Sequence, residues 1–425
     1  MKKFLALMLA VLLLTSMVAC TANTPAAPTD AAQTSEPATD APAAETAAEA
    51  PAETESAEDD GPIVIGFLGW SSGADAMYGL VPQFLMEHYF KEVNANGGWL
   101  GRQIDFRAYD ISGLDGDFSE AVNAANKLIQ SGADIIMGPS NSTQGAAVAE
   151  LCNAAGVLHI PSGSSQKVTV DDNGNVRPWT YRSGSVNRDS IAALAAYTYY
   201  ELGAPKVAIL YETTQVDTVD MYDEFQKDYE AFGGEITGVA TYQINDIEFR
   251  AQIASLAEGN PDYIFMPVMG YKEAGFCAMQ IQELGHDIKL LGSYVFDTQD
   301  LIDQAGEALN GCVFATEGDI DDARFDEIRE VYEEYHSSTG MSLHMPGLKA
   351  FNEVKIAEYA VLTAGSTDPA AMKKALDEAT YIDLITTPIQ GFDPATHNLL
   401  GFEFTIKTVE NGKFETVGKY AAPVN

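Results

Sequence analysis

The sequence predicts an α/β protein made of two similar lobes, each built on a parallel central sheet, and three observations predict it. Short apolar runs alternate with amphipathic stretches at helical spacing from Ile63 onward. Strands that read as continuous apolar runs between such helices belong to parallel sheets covered on both faces. The alternation starts afresh after Trp179 to Arg182, so one β-α series is followed by a second. Loops rich in Gly and Ser follow several of the strands, which is where open α/β sheets gather their ligands.

Two segments precede this body. Residues 1–20 carry Lys2 and Lys3, an apolar run from Phe4 to Leu14, and modest residues leading to Ala19 and Cys20. The run is too short to span a bilayer and reads as a secretory signal peptide. A Cys directly after a small residue resembles the bacterial lipoprotein box, with Met17 where Leu is usual. That resemblance implies that the Cys20 sulfur is acylated and becomes the new N-terminus; the other reading is a signal peptide with an incidental Cys. From Thr21 to Asp60 there are 14 Ala, 7 Thr, 5 Pro and 10 acidic residues, with no Leu, Ile, Val, Met or aromatic residue. Such a segment has nothing to bury and reads as a disordered, solvated tether, spanning roughly 35 Å as a coil and about 120 Å fully extended.

The first series comprises strand Ile63 to Leu68, helix Leu80 to Val93, strand Gln103 to Tyr109, helix Phe118 to Gln130, strand Asp134 to Met137, helix Gln144 to Ala155 and strand Val157 to Ile160. The second runs through helix Asp189 to Leu202, strand Lys206 to Leu210, helix Val219 to Phe232, strand Glu235 to Tyr242 and helix Glu248 to Glu258. Strand Tyr263 to Met266, helix Glu273 to Leu284 and strands Lys289 to Leu291 and Cys312 to Thr316 continue it. Helical stretches Ala323 to His336 and Leu348 to Ala364 follow. The chain ends in a hairpin, Phe402 to Thr408 and Lys413 to Val417, turned at Asn411-Gly412.

Composition excludes several functions. With 62 acidic against 24 basic side chains and a net charge of -38, the chain has no basic cluster to neutralise nucleic-acid phosphates. The body alone keeps 52 acidic against 22 basic side chains, which suits solubility outside a cell. Four Cys without C-x-x-C spacing and six scattered His point to neither a disulfide scaffold nor a metal site, and no cofactor is expected. Cys152, Cys277 and Cys312 read as buried small apolar residues. Asp110, Asp115 and Asp117, and Asp319, Asp321 and Asp322, lack the Gly and Glu of a calcium loop and read as solvated acids.

Three strand-end loops carry the candidate site: Gly69-Trp70-Ser71-Ser72-Gly73 running on to Tyr78-Gly79, Gly138 to Thr143, and Pro161 to Ser165. Ser142 and Thr143 stand where an N-cap belongs, and free amides at a helix start bind carboxylate or phosphate. A hydroxyl that merely caps its own helix remains the alternative. The second hydroxyl-rich loop, Gly163, Ser164 and Ser165, favours an anion pocket, and the lack of a P-loop favours carboxylate over phosphate. The first loop fits G-x-S-x-G, the nucleophile elbow of serine hydrolases, but sits on the first strand with no His or Asp signature after it, so it reads as a binding loop containing Trp70.

The body resembles the type I periplasmic solute-binding proteins of branched-chain amino acid ABC transporters. The resemblance covers about residues 62 to 420. It is carried by Ile65-Gly66, Tyr78-Gly79, Val93-Asn94-Ala95-Asn96-Gly97-Gly98 with Gly101-Arg102, Tyr109-Asp110, Ile136 to Ser142, Ala155-Gly156-Val157 through Ser165, Tyr181-Arg182 and Gly401-Phe402-Glu403-Phe404. It implies that Ser142 and the loop Gly163 to Ser165 hold a ligand carboxylate and that Tyr78 closes over the ligand. The acid that usually meets a ligand ammonium is replaced by Tyr294, with Asp297 as the nearby substitute, and the second-lobe aromatic falls at Tyr271.

These readings combine in an extracytoplasmic receptor of an ABC importer, anchored through Cys20, which closes two lobes on a small carboxylate-bearing ligand such as an amino acid. It hands the ligand to a permease driven by ATPase subunits, and does no chemistry. The expected divisions are 1–20 signal, 21–60 tether, 61–182 with about 318–399 as the first lobe, and about 183–317 with 400–425 as the second, joined by three hinge strands. The chain is expected to be a monomer that binds no nucleic acid. A sensory receptor of the same fold and, remotely, a serine hydrolase are the alternatives.

Overall fold

The first strand decides how its half of the molecule is layered. In the computed structural model, which describes residues 61–73, 76–113, 118–341 and 345–421, β1 (Ile63–Gly69) is buried along its whole length. Successive side chains of a strand face opposite ways. Ile63, Ile65 and Phe67 accordingly join one core with Val81, Leu85, Met86 and Phe90 of α1 (Met77–Ala95). Val64 and Leu68 join another. That second core holds Ala121, Ala125 and Leu128 of α2 (Ser119–Gln130), which follows β2 (Ile104–Asp110). Each large side chain so buried contributes about 1.5 to 3 kcal/mol. Then come β3 (Ile135–Met137), α3 (Ser142–Ala155) and β4 (Leu158–Ile160). The sheet order is β2-β1-β3-β4, all parallel.

The second half repeats the plan. It comprises α4 (Asn187–Tyr200), β5 (Lys206–Glu212), α5 (Val216–Phe232), β6 (Glu235–Tyr242), α6 (Arg250–Ala257) and β7 (Tyr263–Phe265). α7 (Tyr271–Glu283), β8 (Lys289–Gly292), α8 (Gln299–Ala305) and β9 (Val313–Thr316) complete the series. The chain then returns to the first half with α9 (Asp326–Thr339), α10 (Met345–Ala364), α11 (Pro369–Asp377) and the small pair β10 (Ile382–Asp383) and β11 (Pro388–Ile389). Leu348, Val354 and Ile356 of α10 and Met372 and Leu376 of α11 lie in the same core as β1 and α1. Finally β12 (Phe404–Glu410) adds antiparallel to β9 and β13 (Lys413–Tyr420) antiparallel to β12, giving the order β13-β12-β9-β8-β7-β5-β6. Asn411 and Gly412 both take positive φ in the turn between them, which the Asn-Gly pair accommodates with least strain. The fold is therefore α/β with two parallel-sheet halves, as the alternation predicted.

Two helices escaped the sequence reading. α8 has seven residues, too few to show a period, and α11 has nine, although Asp368 caps it through the Ala371 amide and Pro369 opens it. The cap of α3 is a correction: it is Asn141, whose side chain accepts from the Gln144 amide at 3.0 Å, and Ser142 is already the first helical residue. The signal segment with Cys20, the tether, Asp115 and Asp117 lie outside the described residues. Among the described residues, no helix is long and apolar enough to cross a membrane.

Candidate functional site

Both sheets place their first strand between the two that follow it, β2-β1-β3 in one and β6-β5-β7 in the other. Each therefore has a switch point where the loops leaving adjacent strands part, and ligands of open α/β sheets bind there. The loops after β1 and β3 bring Trp70 and Ser140 to Ser142; those after β5 and β7 bring Gln215 to Asp217 and Met269. Close backbone approach makes this possible. A Cβ on Gly79 would lie 2.0 Å from the Trp70 carbonyl oxygen, so only glycine lets α1 start against that loop. Gly138 takes φ +72, and a Cβ there would meet the Leu68 carbonyl oxygen at 2.4 Å.

One layer of the site ties the halves together. Ser142 Oγ donates to Asp217 Oδ1 at 2.6 Å, and Asn187 Nδ2 donates to the same oxygen at 3.1 Å. Asn141 Nδ2 donates to Gln215 Oε1 at 3.2 Å, and Ser165 Oγ donates to Asp220. The Ser165 amide in turn donates to Ser142 Oγ at 3.0 Å. Ser142 and Ser165, expected around a ligand carboxylate, are thus placed against carboxylates of this chain. Gly163 sits between them: its carbonyl accepts from Arg182, and a Cβ there would crowd Ser142 Oγ at 2.9 Å. Arg182 is fully buried and also donates to the Ser165 carbonyl at 2.7 Å; burial pushes its pKa down to about 10.

A second layer is a cavity of about 30 Å³ lined by Trp70, Tyr78, Ser140, Ser162, Met269, Tyr294, Val295 and Lys349. Trp70 and Tyr78 meet edge to face with centroids 6.2 Å apart, and Trp70 Nε1 donates to Gln144 Oε1 at 2.8 Å. Ser162 Oγ donates to Ser140 Oγ at 3.1 Å. Opposite them, the Tyr294 ring lies under Lys349 Nζ at 4.3 Å, and its hydroxyl accepts from Ser164 at 3.4 Å. The cavity has room for on the order of one water molecule, so a larger ligand enters only when the loops part. A roomier pocket of about 430 Å³, lined by Leu85, Tyr89, Phe351 and Lys355 among others, lies on α1 and α10, away from the strand ends that form the switch points.

Lys349 is the residue that sequence reasoning missed. It stands on α10, 2% exposed, and its ammonium donates to Ser164 Oγ and pairs with Glu317 at 2.9 Å. Burial lowers its pKa, but the Glu317 carboxylate and the neighbouring Tyr294 outweigh that, so the net shift is upward and the group stays charged. Glu317 also accepts from the Ser185 amide and hydroxyl at 3.1 and 2.9 Å. One helical turn on, Glu353 is fully buried. Burial raises its pKa well above the ordinary carboxylate value, and nearby Ser162 and Gly138 do not offset it, which favours the protonated form. Lys349, Asn352 and Glu353 stand at i, i+3 and i+4 on one face of the helix, but Lys355 and Glu358 on the same helix leave that trio without a distinct sequence signal.

The remaining expected residues lie off the cavity. Asp297 is fully buried against Lys407, at 3.2 Å, and Thr316, at 3.1 Å. Lys407 also pairs with Asp319 at 3.0 Å, so Asp297 serves a buried ion pair. Tyr271 opens α7 and packs on the second-half core, outside the cavity lining. Ser71 of the G-x-S-x-G loop donates to Gln83, which is no base. Cys152, Cys277 and Cys312 are buried. Among the described residues no cluster of three or more His, Cys, Asp or Glu is placed to hold a metal ion.

Comparison with known proteins gives a consistent result. The family described as periplasmic binding protein matches residues 62–412. A Leu/Ile/Val-binding protein homolog from Brucella abortus is 24% identical over 308 residues, covering 72% of this chain and 80% of the relative. The crystal structure of a leucine-binding protein from Thermotoga maritima superimposes with a TM-score of 0.74 at 21% identity, covering 84% of this chain and 98% of that one. A solute-binding protein of an ABC transporter from Rhodopseudomonas palustris, in complex with 3,4-dihydroxybenzoic acid, gives 0.73 at 20% identity, with 85% and 98% covered.

Proposed function

The chain belongs to the periplasmic binding protein family, whose members bind solutes outside the cytoplasm and are not enzymes, and from that premise we propose that it is the substrate-binding receptor of an ABC importer. It takes a small carboxylate-bearing ligand between its two halves and delivers it to a permease. The supporting observation is the cavity at the meeting of two switch points, where Trp70 and Tyr78 from one half face Tyr294 from the other beside the Lys349 ammonium. Ligand contact with both halves favours the closed form, and that differential alone drives closure.

The closing units in this reading are residues 61–182 with about 318–399, and about 183–317 with 400–425. Ser142 and Ser164 act beside the cavity, through their bonds to Asp217 and to Lys349 and Tyr294, Cys20 holds the chain to the membrane, and the receptor works as a monomer. Relatives of this fold carry names or ligands of two kinds, leucine and a dihydroxybenzoic acid, so both amino acids and aromatic acids belong in the first trial. A thermal-shift screen over both classes tests the reading, because a ligand at 100 times its dissociation constant adds ~2.7 kcal/mol to stability. A shift with members of either class supports it, and no shift with any of them contradicts it.

A further inference from the structure

The cavity has an asymmetry of charge. Of its lining residues, Lys349 alone carries a full charge, and no carboxylate lines it among the described residues. The carboxylates behind the wall stand outside the lining and already take hydrogen bonds, Glu317 through Oε1 alone. Glu317 accepts from Lys349 and Ser185, Asp217 from Ser142 and Asn187, and Asp297 from Lys407 and Thr316. For Glu353, the remaining buried acid near Ser162, burial raises the pKa and favours the protonated form. Lys349 donates to Glu317 and Ser164 and stands over the Tyr294 ring; an ammonium has three donors, so a ligand carboxylate would take the third in place of the ring contact.

Resting on the receptor reading above, we propose that the site selects a small apolar acid that bears a carboxylate and no α-ammonium, with Lys349 as its charge partner. The walls, Trp70, Tyr78, Met269, Tyr294 and Val295, accept an aromatic or branched hydrocarbon body. The Ser140 and Ser162 hydroxyls supply further hydrogen bonds to the carboxylate. An α-ammonium in the same space would stand beside Lys349 with no carboxylate in the cavity lining to meet it, and a buried charge without a partner is strongly disfavoured. Discrimination here comes from a repulsive element as much as from an attractive one.

Matched pairs test this, each differing only in the ammonium: 4-methylpentanoate against leucine, and 3-phenylpropanoate against phenylalanine, titrated calorimetrically into the whole protein. In at least one pair the acid should bind 10-fold or more tighter than its amino acid. Because Lys349→Met alone would strand Glu317, the variant used is Lys349→Met with Glu317→Gln, whose melting temperature is recorded beside its affinity. It should fold and lose 10-fold or more in acid binding, the lower end for a hydrogen bond to a charged group. An amino acid that binds as tightly as its acid or tighter overturns the inference and leaves the receptor reading standing. Acid binding unchanged in the folded double variant overturns the role of Lys349. If neither member of either pair binds, the inference falls, and the screen of both ligand classes decides separately whether the receptor reading falls with it.

Discussion

The hydroxyl of Ser142, on the first turn of α3, donates to Asp217, on the first turn of α5, at 2.6 Å. The two residues stand at the switch points of different sheets, so the bond spans the cleft. Both are buried, Ser142 1% and Asp217 1% exposed, which keeps water from competing for either. A hydrogen bond of this kind exists only while the loops meet.

Ser142→Ala is therefore expected to weaken ligand binding by roughly 10-fold to 150-fold, the equivalent of ~1.5 to 3 kcal/mol for a hydrogen bond to a charged group. The loss handicaps the closed form whether or not the hydroxyl also touches the ligand. Asn141 caps α3, so the helix itself should be little affected. Calorimetric titration beside a denaturant melt separates the effects. An affinity within about 3-fold of wild type, with a large fall in stability, would make Ser142 a structural residue only.

Glu353 gives the protein a pH dependence of definite sign. Burial raises the pKa of this carboxyl in the folded chain, so it holds its proton to higher pH than the unfolded chain, which releases it near pH ~4.3. The folded state then binds more protons, so stability falls as pH rises above that value, by about 1.4 kcal/mol per unit for one proton. Glu353→Gln has no proton to hold. Melts between about pH 5 and 8 should show the variant gaining on wild type as pH rises. A gap that stays constant across this range would mean that Glu353 is ionised in the folded state.

Cys20→Ala should release the protein into the medium or leave it unacylated, because acyl chains anchor at ~0.8 kcal/mol per buried CH2 and the folded body offers no spanning helix among its described residues. Fractionation after a high-salt wash measures this. A mutant that stays with the membrane would rule out the lipid anchor.

Much of the fold was legible because local patterns and tertiary demands agree. β1 reads as an apolar run since both its faces are covered, and the Asn411-Gly412 turn announces its hairpin. The site was legible at Trp70, Tyr78 and Tyr294, which follow strand ends, but not at Lys349. That lysine lies some 280 residues beyond Trp70 on a helix that returns from the second half, and no local pattern shows which groups such a return brings together. Asp297 illustrates the converse. It stands close to Tyr294 in sequence, yet Lys407, contributed by the terminal hairpin, captures it. The capping role passed from Ser142 to Asn141 by one position, a shift that hydroxyl and amide side chains in succession leave open.

The central claim, that a small solute binds where the two halves meet, is tested most directly by the fluorescence of Trp70, which is 5% exposed in the wall of the cavity. Any compound that raises the melting temperature should change the protein's tryptophan emission in a saturable way, and the change should vanish in Trp70→Phe while Trp99 and Trp179 remain. A compound that stabilises the protein yet leaves the same emission response in wild type and Trp70→Phe would place its binding site elsewhere and contradict the account.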